Sequence, residues 1–167
     1  VIPRRELLSG TASFHFIDVG QGDATLILTG DAAVLVDTGP GSAADTLAEY
    51  VRAYTGRLDY LVLTHPHDDH TGGVDEILDA VSVERILMPL TPNNSYTEKL
   101  QKNAEEQKIP FYAAEAGAQY TAGDITLTLL GPVHTDYENL NNVSAVIRVD
   151  VGGTSLLLSG DAEQEAE

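Results

Sequence analysis

Three of the five histidines lie within six residues of one another, in a stretch that reads THPHDDHTGG over residues 64–73. Neutral imidazole and carboxylate groups are ligands that zinc, manganese and iron accept. His65 and His67 can converge on one ion, and Asp69 and His70 can turn towards a second. Two ions roughly 3.5–4 Å apart can bind both oxygens of a displacement reaction. A polar surface loop with chance histidines is the alternative, which this spacing directly after a strand disfavours.

The histidine cluster is flanked by two regular elements. Tyr60 to Leu63 is an apolar run typical of a buried strand. After the cluster, an apolar i, i+3, i+4, i+7 stripe predicts an amphipathic helix from Val74 to Val81. The cluster is therefore expected on a loop between a strand and a helix, where a rigid scaffold can direct ligands to one point.

The motif THPHDDHTGG resembles that of the metallo-β-lactamase superfamily of binuclear hydrolases. Other segments, in this order, resemble the hydrolase domain of ComEC-type DNA-uptake proteins and their stand-alone relatives. The resemblance extends from about Ser13 to the last residue. These segments are FIDVGQGD (16–23), LVDTG (35–39), LGP (130–132), NNVS (141–144) and LLSGDAE (157–163).

This resemblance implies an α/β sandwich with the four-layer αββα metallo-β-lactamase fold. Residues 1–11 are expected to be a flexible lead-in, and residues 12–167 a domain that is incomplete at its C-terminus. We expect the chain either to associate through the hairpin at 143–158 or to be one piece of a longer domain. The run Leu156-Leu157-Leu158 favours a strand buried on both faces.

Two further carboxylates acquire roles from the resemblance. Asp161 matches the superfamily's bridging metal ligand, although its sequence context also suits a helix N-cap. Asp37 corresponds to a residue that supports the metal loop, since a metal-binding histidine commonly donates its second N–H to a carboxylate. A helix cap or turn residue is the alternative for Asp37.

Other residues are candidates for lining the site. Asp18 and Asp23 flank a glycine turn, where they could instead bond their own backbone. Asn142 and Ser144 lie where many superfamily members carry a further histidine ligand, so one ligand is missing. His134 is the histidine nearest to this region and is a weak substitute. His15, on an early strand, reads as a surface or supporting histidine.

Secondary structure follows from apolar patterns and turn residues. Phe14 and Phe16 are placed inward on the first strand. Ser42 with Asp45 is expected to cap the first helix, and Ser95 with Glu98 the third. Strands are predicted at 11–19, 24–28, 33–36, 58–63, 83–88, 110–113, 124–130, 143–151 and 154–158, and helices at 43–55, 74–81 and 95–108, with another starting at Ala162.

Composition restricts the partners. The 167 residues include no cysteine, and the formal net charge is −17. No apolar run approaches the roughly 18 residues of a membrane helix. The nine Lys and Arg residues are scattered, which argues against tight nucleic-acid binding through a basic patch. The absence of cysteine is compatible with the extracytoplasmic location that we expect.

The function implied by the resemblance is metal-dependent hydrolysis of phosphodiester bonds by a metal-activated water. One or two divalent ions, zinc or manganese, would be held by the five candidate ligands, and Asp69 would also orient or deprotonate the nucleophile. DNA is the substrate that the ComEC resemblance implies. A secreted phosphodiesterase acting on cell-wall or small substrates and a non-catalytic metal-binding or assembly module are the alternatives. The candidate ligands are His65, His67, Asp69, His70 and Asp161.

Overall fold

A computed structural model of the protein describes residues 11–166. The predicted lead-in at residues 1–11 lies outside the described residues except for Thr11. Within the described range, no helix is both long and apolar enough to cross a membrane.

The strands of residues 11–166 form two main sheets. These strands are β1 (Ser13–Phe16), β2 (Thr25–Leu28), β3 (Ala33–Val36), β4 (Arg57–Leu58), β5 (Tyr60–Val62), β6 (Ser82–Val83), β7 (Ile86–Met88), β8 (Phe111–Ala113), β9 (Gln119–Ala122), β10 (Ile125–Leu129), β11 (Ile147–Val151) and β12 (Thr154–Leu158). One sheet has six strands in the order β1-β2-β3-β5-β7-β8, and the other has four in the order β12-β11-β10-β9, while β4 pairs with β6.

The helices that follow parallel strands cover one face of the six-stranded sheet. Strands β1 to β3 are antiparallel, whereas β3, β5, β7 and β8 are parallel, as expected when helices connect successive strands. The α-helices are α1 (Ala44–Tyr54), α2 (Asp68–Thr71), α3 (Val74–Ala80) and α4 (Ser95–Glu106), and short 3-10 helices span Gly41–Ala43, Leu140–Val143 and Gln164–Ala166.

The six-stranded sheet separates two hydrophobic cores. Because successive strand residues point to opposite faces, Leu35 packs against the helices, while Val34 and Val36 pack against the four-stranded sheet. Residues of α1, α3 and α4 all belong to the first core. The described residues therefore supply helix, sheet and sheet layers of the predicted sandwich, and the predicted fold class is confirmed.

Strand pairing brings the ends of β3 and β5 together. Val36 lies opposite Val62 in the parallel pair, and the Asp37 amide donates to the Val62 carbonyl at 2.8 Å. The residues that follow these strands therefore emerge side by side at one edge of the sheet. In open parallel sheets this carboxyl edge is where ligands bind.

Several local predictions are wrong. Phe16 is 67% exposed, because it lies at the end of an edge strand, whereas Phe14 packs into the core between the sheets. Ser42 belongs to a 3-10 helix before α1, which has no side-chain cap. Asn94 rather than Ser95 caps α4, because its side chain accepts the Thr97 amide.

The C-terminal part also differs from prediction. Strand β9 is additional, and the strand predicted at 143–151 begins only at Ile147, because Val143 belongs to the 3-10 helix Leu140–Val143. The last element is the 3-10 helix Gln164–Ala166. Among the described residues, β12 is an edge strand, and Leu157 lies exposed on one face of the sheet with its partner Arg148.

We expect Leu61→Ala to lower the free energy of unfolding by about 2–5 kcal/mol, because it removes a fully buried side chain from a central strand. Leu157→Ala is the matched control. Its side chain is 59% exposed, so the change should be about 0.5 kcal/mol or less. Urea unfolding of both variants measures this, and equal losses would contradict the core assignment.

Candidate metal centre

The site begins with Asp37, the first residue after β3. Its backbone has a φ of 59°, in the left-handed region that aspartate tolerates better than most residues. The carboxylate is buried and accepts two hydrogen bonds from Thr64, one from the amide at 2.7 Å and one from the hydroxyl at 2.8 Å. Asp37 thus joins the end of β3 to the start of the histidine loop.

His70 lies on the short helix α2 and is also held by Asp37. Its Nδ1 lies 2.9 Å from Asp37 Oδ2, so the Nδ1–H donates to the carboxylate and Nε2 is the nitrogen that can bind a metal. The Thr38 amide donates to the His70 carbonyl at 2.7 Å. At Gly72 a Cβ would lie 2.3 Å from the Gly41 nitrogen. A glycine is therefore required where α2 meets the turn after β3.

His65 and His67 face each other within the loop. Nε2 of His65 lies 3.0 Å from Nδ1 of His67. On the far side of the His65 ring, Nδ1 lies 3.1 Å from the Thr64 hydroxyl and 3.3 Å from the Ser144 hydroxyl. Because both hydroxyls can accept from Nδ1–H, they favour the tautomer in which Nε2 is available as a ligand.

Asp161 approaches from the second sheet, three residues after β12. Its Oδ1 lies 3.3 Å from His70 Nε2, and its side chain is 41% exposed. Its amide donates to the Ser144 hydroxyl at 3.2 Å. The preceding Gly160 has a φ of 51°, and a Cβ there would lie 2.9 Å from Thr64. Only glycine lets this segment approach the histidine loop so closely.

These side chains fit a divalent ion. One potential ligand atom from each of His65, His70 and Asp161 lies within 4.8 Å of the others. Two nitrogens bound to one tetrahedral zinc ion at about 2.0–2.1 Å would be roughly 3.3 Å apart, close to the His65–His67 and His70–Asp161 separations. Imidazole and carboxylate donors suit zinc, manganese and iron alike.

Two histidines have opposite pKa shifts. Burial, reinforced by the neighbouring His70 and His67, lowers the pKa of His65 to about 3, so this ring is neutral and ready to bind a metal at any ordinary pH. Burial also acts to lower the pKa of His70. The hydrogen bond and charge of Asp37, with the charges of Asp161 and Asp69, outweigh it and raise the pKa of His70 above 6.5.

The structure bears on the predicted pairing of ligands. Ring nitrogens of His65 and His67, which are predicted to converge on one ion, lie 3.0 Å apart. His70, predicted to act with Asp69, has a ring nitrogen near ligand atoms of His65 and Asp161, whereas His67 belongs to no group of three among the described residues. Asp69 is partly buried, and its Oδ2 lies 3.5 Å from the side-chain nitrogen Nε2 of Gln21. Its ligand and catalytic roles stay predictions.

The remaining candidates fall into two groups. Asp23 has an oxygen within 4.8 Å of ligand atoms of Asp37 and His70, so it adjoins the site. Asn142 and Ser144 contact the segment that carries Asp161. In contrast, Asp18 is exposed and accepts the Gly20 amide, as a turn residue does.

His15 and His134 also lie apart from the groups of potential ligands. His15 bonds the Ser13 and Tyr50 hydroxyls, and the His134 ring lies 6.0 Å from that of Tyr137. Neither belongs to a group of potential ligands among residues 11–166.

Sequence reasoning missed the role of Thr64. Its hydroxyl donates to Asp37 and can accept from His65, so one carboxylate orients His70 directly and His65 through Thr64. Thr64 begins the histidine motif, but its position there does not reveal the role, because only the fold shows that Asp37 lies beside it.

We expect Asp37→Asn to weaken metal binding by about 10–100-fold, the usual effect of losing a group that orients a ligand. An amide has one oxygen and cannot accept from Thr64 twice and from His70 as well. Chelator competition would measure the affinity. Asp45→Asn, an exposed change in α1, is the control, and equal affinities in both variants would contradict the role of Asp37.

Metal affinity should fall as the pH decreases. Binding through Nε2 requires His70 to be neutral, and its pKa lies above 6.5. The affinity is therefore highest above that pKa and decreases by about tenfold per pH unit below it for one displaced proton. His65, with a pKa of about 3, adds no such dependence above pH 5. Titrations from pH 8 to pH 5 test this, and a flat affinity would refute it.

Comparisons with known proteins agree with this arrangement. The profile of the metallo-beta-lactamase superfamily matches residues 17–167. Recombination protein 2 of Haemophilus influenzae is 33% identical over 168 residues, covering 98% of this chain and 20% of that protein. ComE operon protein 3 of Bacillus subtilis is 28% identical over 180 residues, covering 96% and 23%. This chain thus spans about a fifth of the length of these relatives.

Solved structures share the fold at low identity. A metallo-beta-lactamase HARLDQ-motif mutant from Cronobacter sakazakii has a TM-score of 0.61 at 19% identity, over 90% of this chain and 61% of that one. CmlA, a diiron beta-hydroxylase from Streptomyces venezuelae, has a TM-score of 0.60 at 20% identity, over 86% and 28%. With the family profile matching nearly the whole chain, the protein belongs to the metallo-beta-lactamase superfamily.

Proposed function

We propose that this chain is a metal-dependent hydrolase of phosphodiester bonds, with DNA as its substrate. The observation that carries the proposal is the convergence of ring nitrogens of His65 and His70 with Asp161 Oδ1 at the carboxyl edge of the parallel strands. His67 Nδ1 lies 3.0 Å from His65 Nε2 and could add a fourth donor. Three or four such donors suit a catalytic divalent ion, with positions left for water and substrate.

The protein's own groups would prepare the site for the ion. His65 and His70 direct their Nε2 atoms towards the site because their Nδ1 atoms contact the hydroxyls of Thr64 and Ser144 and the carboxylate of Asp37. The carboxylate of Asp161 would complete the ligand set, and that of Asp69 would orient the attacking water. A bound zinc or manganese ion would acidify that water and offset the charge that develops on the phosphoryl group.

The choice of DNA is supported by the relatives. Competence protein ComA of Neisseria gonorrhoeae is 32% identical over 152 residues, covering 90% of this chain and 20% of that protein. Together with recombination protein 2 and ComE operon protein 3, its name connects similar domains with competence. The proposal includes an extracytoplasmic location, with which the absence of cysteine is compatible.

The negative charge of the protein implies that bound metal ions are also needed for an anionic substrate to bind. The whole chain carries a net charge of −17, and carboxylates of Asp23, Asp37 and Asp161 lie with the candidate histidines. An anionic backbone would find little attraction there without bound cations. Substrate binding, and not the chemical step alone, should therefore require the metal.

A direct test is hydrolysis by the purified protein with added manganese or zinc. We expect cleavage of bis(p-nitrophenyl) phosphate and of single-stranded DNA, and loss of both activities and of most bound metal in His65→Ala/His67→Ala. The exposed change Asp45→Asn should leave both intact. Turnover is followed by absorbance and gel electrophoresis, and metal content by elemental analysis.

Each outcome of this test has a clear meaning. Undiminished metal in the double variant would refute the ligand assignment. Hydrolysis of the small diester without cleavage of DNA would favour a phosphodiesterase for small substrates. Bound metal without turnover of either substrate would identify a metal-binding module.

A further inference from the structure

A short turn contacts the segment that carries Asp161. Asn142 is 1% exposed, and both ends of its amide are engaged. Its Oδ1 accepts the Glu163 amide at 2.9 Å, and its Nδ2 donates to Glu165 Oε2 at 3.1 Å. Ser144, fully buried, accepts the Asp161 amide at 3.2 Å. Side chains of one turn thus hold alternate residues of the facing segment.

Within residues 11–166, the segment at 159–166 receives one further hydrogen bond from the turn, since Asn141 Nδ2 donates to Glu163 Oε1 at 3.4 Å. Its backbone hydrogen bonds outside helices and strands are Ala162 to Ser159 at 3.2 Å and Ala166 to Glu163 at 2.9 Å, both within the segment. The Asp161 side chain is 41% exposed, unlike His65 and His70, which are buried. The position of the Asp161 carboxylate therefore depends on contacts from the turn.

We propose that Asn142 and Ser144 are positioning residues for Asp161 as a metal ligand. This inference rests on the metal site of the proposed function. Ser144 contacts both sides of that site, since its hydroxyl receives the Asp161 amide and lies 3.3 Å from Nδ1 of His65. The Ser144 hydroxyl therefore sets the distance between His65, in the loop after β5, and Asp161, in the segment after β12.

Asn142 fixes the direction in which the segment leaves Ser144. A buried amide with one donor and one acceptor bond holds residues 163 and 165 in a defined register. Losing either bond would leave a buried polar atom without a partner, which disfavours any alternative position of the segment. The side chains of Asn142 and Ser144 thus hold the backbone on which the Asp161 carboxylate is carried.

The test is a double-mutant cycle read out as metal affinity. Asn142→Asp keeps the acceptor for the Glu163 amide but sets a carboxylate against Glu165. We expect it to weaken metal binding by about 10–100-fold, as for other groups that orient a ligand. Asp161→Ala should also weaken binding. Adding Asn142→Asp to Asp161→Ala should weaken it no further, because the turn acts through that ligand.

A compensating change provides the rescue. Asn142→Asp with Glu165→Gln reverses the donor and acceptor and restores the hydrogen bond, so the affinity should return to within about threefold of the parent. Asn139→Asp, which preserves the acceptor for the Asn141 amide in the same turn, is the matched control and should have no effect. Should Asn142→Asp fail to fold, judged by circular dichroism, Glu165→Ala, which removes the acceptor for Asn142 Nδ2, replaces it in the same cycle.

Two results would overturn the inference. Additive losses in the cycle would show that the turn stabilises the protein without acting through Asp161. Unchanged metal affinity in both Asn142→Asp and Ser144→Ala would show that the segment needs no such contacts. Unchanged affinity in Asp161→Ala would instead refute Asp161 as a ligand and, with it, the metal site on which the inference rests.

Discussion

The buried carboxylate of Asp37 is the interaction on which the site depends. It accepts the amide and hydroxyl of Thr64 and lies 2.9 Å from His70 Nδ1. These bonds connect the end of β3, the loop after β5 and the helix α2. Burial raises the pKa of this carboxyl group, and the hydrogen bonds from His70 and Thr64 oppose that shift. The same donors belong to residues that orient the candidate ligands, so burying the charge and arranging the site are a single requirement.

Much of this could be predicted from the sequence because the determining signals are local. The apolar run before His65 and the stripe after it specify a strand and a helix, and parallel strands then put the histidine loop at their carboxyl edge. The position of Asp37 after β3 followed from the same reasoning. Superfamily membership was evident from the histidine motif and the segments around it.

The parts that could not be predicted depend on contacts between distant segments. Nothing near Thr64 in sequence indicates that its hydroxyl will bridge Asp37 and His65. Gly160 looks like a turn glycine, and its close approach to Thr64 appears only when the two sheets are packed. Phe16 was misplaced because alternation gives the face of a strand but not the point at which the neighbouring sheet ends.

The two sides of the site differ in burial within residues 11–166. The histidines follow strand β5, whose residues contribute to both cores, whereas the Asp161 side chain is 41% exposed. Local opening in proteins begins where few buried contacts hold the chain. We therefore expect the site to open by release of the Asp161 side while the histidines stay in place. Metal exchange would then be faster than global unfolding, and the protein could lose and regain its ions without losing its fold.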